Sequence, residues 1–560
     1  MSSKKGGEVQ VSVRQEEATY RLAGRRTGSA LFGLSAAQLV LVCAGGIAAV
    51  LTPARARSEW GLAGGLVIAA VCAVLAFCPA GGRPLHESLP PFASFAIRRA
   101  TGRHRWAAPL PLLTGTPAER GRRDRGGSRA LPRCLAGLEL LPVDRPGWAG
   151  GAGALAPVGL VRDARAGTLT AVVAVRGGQF SLLDPAAQHQ RLAGWAQVLS
   201  QFARESSPVT RLGWSLWSAP APLAEHLDWL DGHAQPAAQD GPAARGLAIA
   251  MADYRGLVDD AAPAVSRHDL RVWITVDPRR LARRHGRAPD PAEATLAALK
   301  TLGDRCRAAG LVVSPPMSPV QIAEAMRVQA DPSVVAAMAR VRRGLAEHTG
   351  LASVLHALDS ASGGGQTPAG DDAAGAVDAV HAGPLAVEAR WDAVRVDGAW
   401  HRVFWVAQWP GLALDPRWLE PLLLAPPCVR TLAVVMEPVS LRASRRRINA
   451  DSVSIEGQLH LRERHAFRVP VHLQRAHAEV DQREAELHAG FCEYGYLALL
   501  AVTGRDLDEL DANCHALVDQ AAQCGITELR PLYARQDAAW ACTLPLGRVP
   551  DRELLRGMLT

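Results

Sequence analysis

The chain has 560 residues, 48% of them apolar and 21% charged, with a net charge of +8. At roughly 150 residues per domain this length calls for several folding units, and the composition excludes a globally disordered chain. The charge is too mild for a nucleic-acid coat, so nucleic acid is not expected as a direct ligand.

After a polar tail (1–30), Leu31 to Leu51 runs 21 residues without a charge, about 31 Å as a helix and enough to cross a bilayer core. Gly61 to Ala80 is a second uncharged run. The two predict a transmembrane hairpin over 31–80, with spans 31–51 and 61–80 and Trp60 as an interfacial anchor. A signal peptide fits the first run poorly, because a long polar stretch precedes it. Basic residues flank the hairpin on both sides: Arg25 and Arg26 before it, and Arg98, Arg99, Arg103 and Arg105 after it, against Arg55 and Arg57 in the link. The positive-inside rule then places both termini and the soluble part in the cytoplasm, below the inner (plasma) membrane. Residues 81–135 read as a basic, flexible linker. Within it, Phe95 to Trp106 is either a contact with anionic lipid or a solvated linker carrying the topology signal.

The rest divides into a first α/β unit (136–317), a helical segment with a Gly/Ala-rich linker (318–388), a second unit (389–546) and a short tail (547–560). In the first unit, strands are expected at Val158–Asp163, Thr168–Arg176, Phe180–Leu183, Val209–Trp217, Leu270–Val276 and Leu311–Val313. Helices start at Asp184-Pro185 and at Asp290, the latter stopped by Gly310. The second unit repeats this order. Asp397-Gly398 predicts a hairpin between Trp391–Val396 and Ala399–Ala407. A helix near Asp415–Leu424 follows, then a strand at Thr431–Met436 and a polar, mostly helical stretch over Arg442–His488. Tyr494–Thr503 is a strand, Asp506–Cys524 a helix stopped by Gly525, and Thr527–Leu532 a last strand. The fold class expected is α+β / α/β, with two tandem ferredoxin-like (split β-α-β) units carrying helical insertions.

Chemistry-bearing motifs are scarce. No G-x-x-x-x-G-K-[ST] occurs, so a P-loop is absent from the sequence. Gly151 to Ala156 matches G-x-G-x-x-A but precedes a strand instead of opening a helix. Gly213-Trp214-Ser215 lacks the second glycine of a nucleophile elbow. His460, His465, His472 and His477 lack the spacing that puts two ligands on one helix face. The ten cysteines include no Cys-x-x-Cys pair, which fits small buried residues in a reducing compartment. No catalytic residue, metal or cofactor is expected. Trp400, Trp405 and Trp409 read either as a partner surface or as strand packing. Arg445, Arg446 and Arg447 read either as a contact for an acidic partner or as a solvated helix face.

The order of parts resembles an actinobacterial family of integral membrane proteins encoded in conjugation-like gene clusters. The hairpin of Leu31 to Ala80, with its basic flanks, is similar to the small PrgI-like membrane subunit of type IV secretion. Residues from about 136 to 546 are similar to the N-terminal, non-motor domain of the large conjugation ATPase. The similarity is carried by Gly159–Gly177, Phe180–Leu199, Trp400–Pro410 and Gly495–Ile526, with Thr543–Arg548 (TLPLGR) where the motor domain of that ATPase begins. The resemblance implies a membrane-anchored, non-catalytic scaffold that docks a separate P-loop ATPase and other apparatus subunits, with homo-oligomers possible in principle. The rival readings are a type VII (ESX-like) core subunit, a membrane-attached enzyme with an unrecognised site, and a DNA-contacting subunit.

Overall fold

The computed structural model describes residues 36–56, 59–80, 83–108, 131–143, 157–177, 180–205, 207–220, 242–261, 265–285, 290–335, 383–410, 414–424, 428–465 and 468–550, with 226, 227 and 230. The N-terminal part holds helices α1 (Ala36–Ala56) and α2 (Glu59–Phe77), a two-stranded ribbon of β1 (Pro79–Ala80) and β2 (Arg83–Pro84), helix α3 (Leu85–Ala100) and strand β3 (Arg105–Ala107). The stretch 81–135, expected as a flexible linker, is corrected by α3 and β3. Its residues 109–130 lie outside the described ones.

Next come β4 (Leu138–Val143), β5 (Val158–Asp163), β6 (Thr168–Arg176), α4 (Pro185–Phe202), β7 (Val209–Pro220), α5 (Pro242–Ala261), β8 (Ser266–Val276), α6 (Pro278–His285), α7 (Pro291–Ala308), β9 (Val312–Pro316) and α8 (Pro319–Ala330). The last part holds β10 (Ala386–Ala389), β11 (Val394–Val396), β12 (Ala399–Gln408), α9 (Glu420–Leu424), β13 (Arg430–Pro438), α10 (Leu441–Arg464), α11 (Val471–His488), β14 (Tyr494–Gly504), α12 (Leu507–Gln523), β15 (Glu528–Pro531) and α13 (Gln536–Thr543). Phe180–Leu182, expected as a strand, is one turn of 3-10 helix leading into α4.

Local chemistry explains the ends of the elements. Asp184, Asp290 and Asp506 each cap a helix by accepting a backbone N–H, at 2.9, 3.1 and 2.8 Å, with Pro at the first helical position after the first two. Gly310 and Gly525, past the ends of α7 and α12, take φ of +80° and +75°, a conformation that costs other residues a Cβ clash. Asp397 takes φ +50° in the two-residue β11–β12 hairpin, and its carboxylate accepts from the N–H of Leu385 and Ala386.

Thirteen strands form one antiparallel sheet in the order β3-β10-β11-β12-β14-β13-β7-β8-β6-β5-β4, with β15 on β12 and β9 on β6. The expected tandem units are therefore two halves of a continuous sheet. Each half reads strand, helix, strand, strand, helix, strand. In each the fourth strand pairs the first, the first the third, and the third the second: β9-β6-β8-β7 and β15-β12-β14-β13. The second strands of the two halves pair with each other, from Leu212↔Met436 to Ser218↔Arg430.

Both faces of the sheet are covered, so its strands are apolar throughout instead of alternating. On one face α4, α7 and α12 bury Val198, Leu296, Leu302, Leu510 and Leu517. On the other, α8, α13 and the segment after it bury Ile322, Met326, Trp540, Leu544 and Leu546. The second cover crosses the joint between the halves. Arg211 of β7 donates to the carbonyl of Gly547 at 3.1 Å.

His401 of β12 belongs to this cover. Its Nε2 lies 2.9 Å from the carbonyl of Ala330, which only accepts, so Nε2 carries the proton and Nδ1 accepts from Thr503 Oγ1 at 3.0 Å. Burial pushes the imidazole down from 6.5 to about 4. As pH falls below 6.5 the unfolded chain takes up this proton first, so stability present at neutral pH is lost between about 6.5 and 4. We expect denaturant midpoints measured from pH 7 to pH 4.5 to fall less steeply in His401→Gln, by roughly 3 kcal/mol at the acid end. An unchanged slope would remove His401 from the acid transition.

Candidate functional site

The hairpin is built on small residues. A Cβ on Gly45 of α1 would stand 3.0 Å from Cys72 Cβ of α2, and one on Gly65 of α2 would stand 2.2 Å from Thr52 Oγ1 and 3.1 Å from the carbonyl of Ala48. The two helix backbones therefore approach closely at these glycines. Gln38 Nε2 donates to the carbonyl of Ala76 at 2.9 Å, closing the pair at its other end. Val40, Ile47, Val50, Leu66, Val67 and Val71 face outward and are exposed. Trp60–Phe77 is long and apolar enough to cross a membrane, and only 17% of it is buried, which is not how a core helix sits. The described apolar part of α1, Ala37–Thr52, is shorter.

The expected membrane flank separates into distinct environments. Arg25 and Arg26 lie outside the described residues. Trp60 is 86% exposed at the start of α2. Arg99 and Arg103 are exposed, and Arg105 pairs with Glu388 at 3.1 Å beside the β3–β10 ladder. Arg98, in a stretch read either as a lipid contact or as a solvated linker, is instead an internal tie. Its Nη1 donates to both carboxylate oxygens of Asp537, at 3.3 and 3.0 Å, and its Nη2 donates to the carbonyl of Ala534. Phe92 and Phe95 of the same helix meet the edge of Trp391, which stacks on Tyr533. Helix α3 thus joins the hairpin to the sheet.

Trp400 and Trp405, read either as a partner surface or as strand packing, are packed in the core. They are 7% and 3% exposed and point to opposite faces of β12. Arg390 lies over the Trp400 ring at 4.3 Å, so the indole has a cation on its face. Trp409 is half-buried, edge-on to Trp418. Arg445, Arg446 and Arg447 are exposed on α10. That helix pairs with α11 around Ile448, Ile455, Leu473 and Val480, and Arg483 of α11 holds Asp451 of α10 and Glu493 beside the sheet.

Among the described residues no group of His, Cys, Asp or Glu is arranged to hold a metal. His477 pairs with Asp481. Ser215 is fully buried in β7, where no base reaches its hydroxyl. Burial pushes the thiols of Cys306, Cys428 and Cys514 up to about 11, 11 and 12, which leaves them unreactive.

A cavity of about 490 Å³ opens where α3 crosses the sheet. Arg98, Arg133, Arg165, Arg535 and Arg548 line it with one carboxylate, Asp537, and Pro90, Pro91 and Val549 supply an apolar wall. Sequence reasoning missed it. Its arginines lie far apart in the sequence and converge only in the fold.

Compared with protein-family models and with curated proteins, the chain matches none.

Proposed function

We propose that the chain is a membrane-anchored, non-catalytic scaffold subunit of a translocation apparatus of the type IV secretion or conjugation class, docking a separate cytoplasmic P-loop ATPase. The observation that carries this reading is the junction: a hairpin with an apolar outer surface is fastened by α3, through Arg98, Asp537 and Trp391, to a sheet covered on both faces. Such a joint holds a body in fixed relation to a bilayer. In this reading α1 and α2 are two spans, both termini and the sheet are cytoplasmic, and each half-sheet is a ferredoxin-like split β-α-β unit. The insertions between the second and third strands, α5 and the α10–α11 pair, are the docking faces. On α5, Ile249 and Leu257 are 63% and 66% exposed, and on α10 Arg445, Arg446 and Arg447 are exposed basic residues. The mechanism is positional and makes or breaks no bond.

The test is affinity purification of the tagged full-length protein in mild detergent, with mass spectrometry of what accompanies it. A co-purifying P-loop ATPase with conjugation-type membrane proteins is the expected result. ESX-type components would move the protein to a type VII apparatus, and a protein that purifies alone would overturn the scaffold reading.

A further inference from the structure

We infer that the cavity beside α3 binds a phosphate ester. Five arginines line it from five separate segments: α3, the turn before β4, the β5–β6 turn, the start of α13 and the segment after α13. A solvated charge run lies along one element, whereas here the fold itself gathers like charges that repel one another. Among the described lining residues the one carboxylate, Asp537, is already engaged by Arg98, so that lining is net positive. Guanidinium groups gathered in this way need counter-charge, and a phosphate presents several acceptors to planar donors at once. The volume exceeds what a bare oxyanion fills and suits a small organic ligand. Pro90, Pro91 and Val549 give its carbon portion an apolar wall. The ester is either the headgroup of an anionic phospholipid, reached from the hairpin, or a soluble phosphate. The inference goes beyond the scaffold reading and does not need an ATPase partner, so either can fail alone.

The experiment uses the full-length chain in detergent, with two probes. Phosphatidylglycerol against phosphatidylcholine in mixed micelles tests the headgroup, read by native mass spectrometry as lipid retained. Glycerol 3-phosphate, with sulfate at matched ionic strength as control, tests a soluble ester by calorimetry. One probe is expected to bind at one per chain and to weaken at least tenfold in both Arg165→Gln and Arg548→Gln. It should keep its affinity in Arg307→Gln, an exposed arginine paired with Asp304 away from the cavity. Selective phosphatidylglycerol retention assigns the headgroup, and glycerol phosphate binding without lipid selectivity assigns a soluble ester. If Arg548→Gln fails to fold, having lost its hydrogen bond to Ala136, Arg165→Gln decides alone, because that side chain is exposed. Binding of neither probe, or an equal loss in Arg307→Gln, would overturn the inference.

Discussion

Replacing Asp537 with Ala is expected to release α3 from the sheet at a cost of about 3 kcal/mol. The Arg98 and Asp537 side chains are 13% and 12% exposed, so removing the carboxylate leaves a largely buried guanidinium that has, among the described residues, only the carbonyl of Ala534 as acceptor. Breaking one member of such a pair costs more than replacing both. The double variant Arg98→Met/Asp537→Leu should therefore recover half or more of the loss, because the aromatic contacts of Phe92 and Phe95 remain. Limited proteolysis of the full-length protein reads this directly. In Asp537→Ala, cleavage within 85–100 should accelerate while the strands from β5 to β15 stay protected. Equal cleavage of Asp537→Ala and the parent chain would mean that the ion pair does not hold the junction.

Much of the sheet was legible because burial on both faces turns strands such as Thr168–Arg176 and Tyr494–Gly504 into unbroken apolar runs. The Asp-Pro starts, the Gly310 and Gly525 stops and the Asp397-Gly398 turn are local chemistry, and local chemistry is written in short windows. What depended on distant partners was not legible. Pro90 and Pro91 each remove a helix hydrogen bond, so α3 reads as linker, yet Phe92 and Phe95 find Trp391 about three hundred positions downstream and the helix survives. Trp405 beside a hairpin fits a partner surface or strand packing, and what covers its face is α13, far along the chain. Strands β3, β4 and β10 are short, and their pairing is set by the fold. The arginines of the cavity spread from Arg98 to Arg548 in a chain with 62 Lys and Arg, so composition hides them.

The joint between the halves offers the second large effect, at Gly213. The sequence around it invites comparison with a nucleophile elbow, but its physical role is space. Gly213 sits in β7 opposite Trp273 of β8, and a Cβ there would lie 2.3 Å from Cε2 and Cζ2 of the indole. Trp273 is fully buried and has no room to retreat. β7 cannot shift alone either, because it pairs with β8 on one side and with β13 of the other half on the other. Gly213→Ala should therefore destabilise the fold by about 3 kcal/mol, the upper part of the overpacking range, and Gly213→Val by more. Trp273→Leu makes room, and it also removes an indole N–H that is buried without an acceptor among the described residues. Gly213→Ala/Trp273→Leu should then be less destabilised than the sum of the single variants by about 1–3 kcal/mol. Denaturant midpoints of the four proteins, followed by circular dichroism, decide it. Additive losses would mean that Trp273 does not fill the space Gly213 leaves, and that the two halves of the sheet are joined by backbone pairing without that packing constraint.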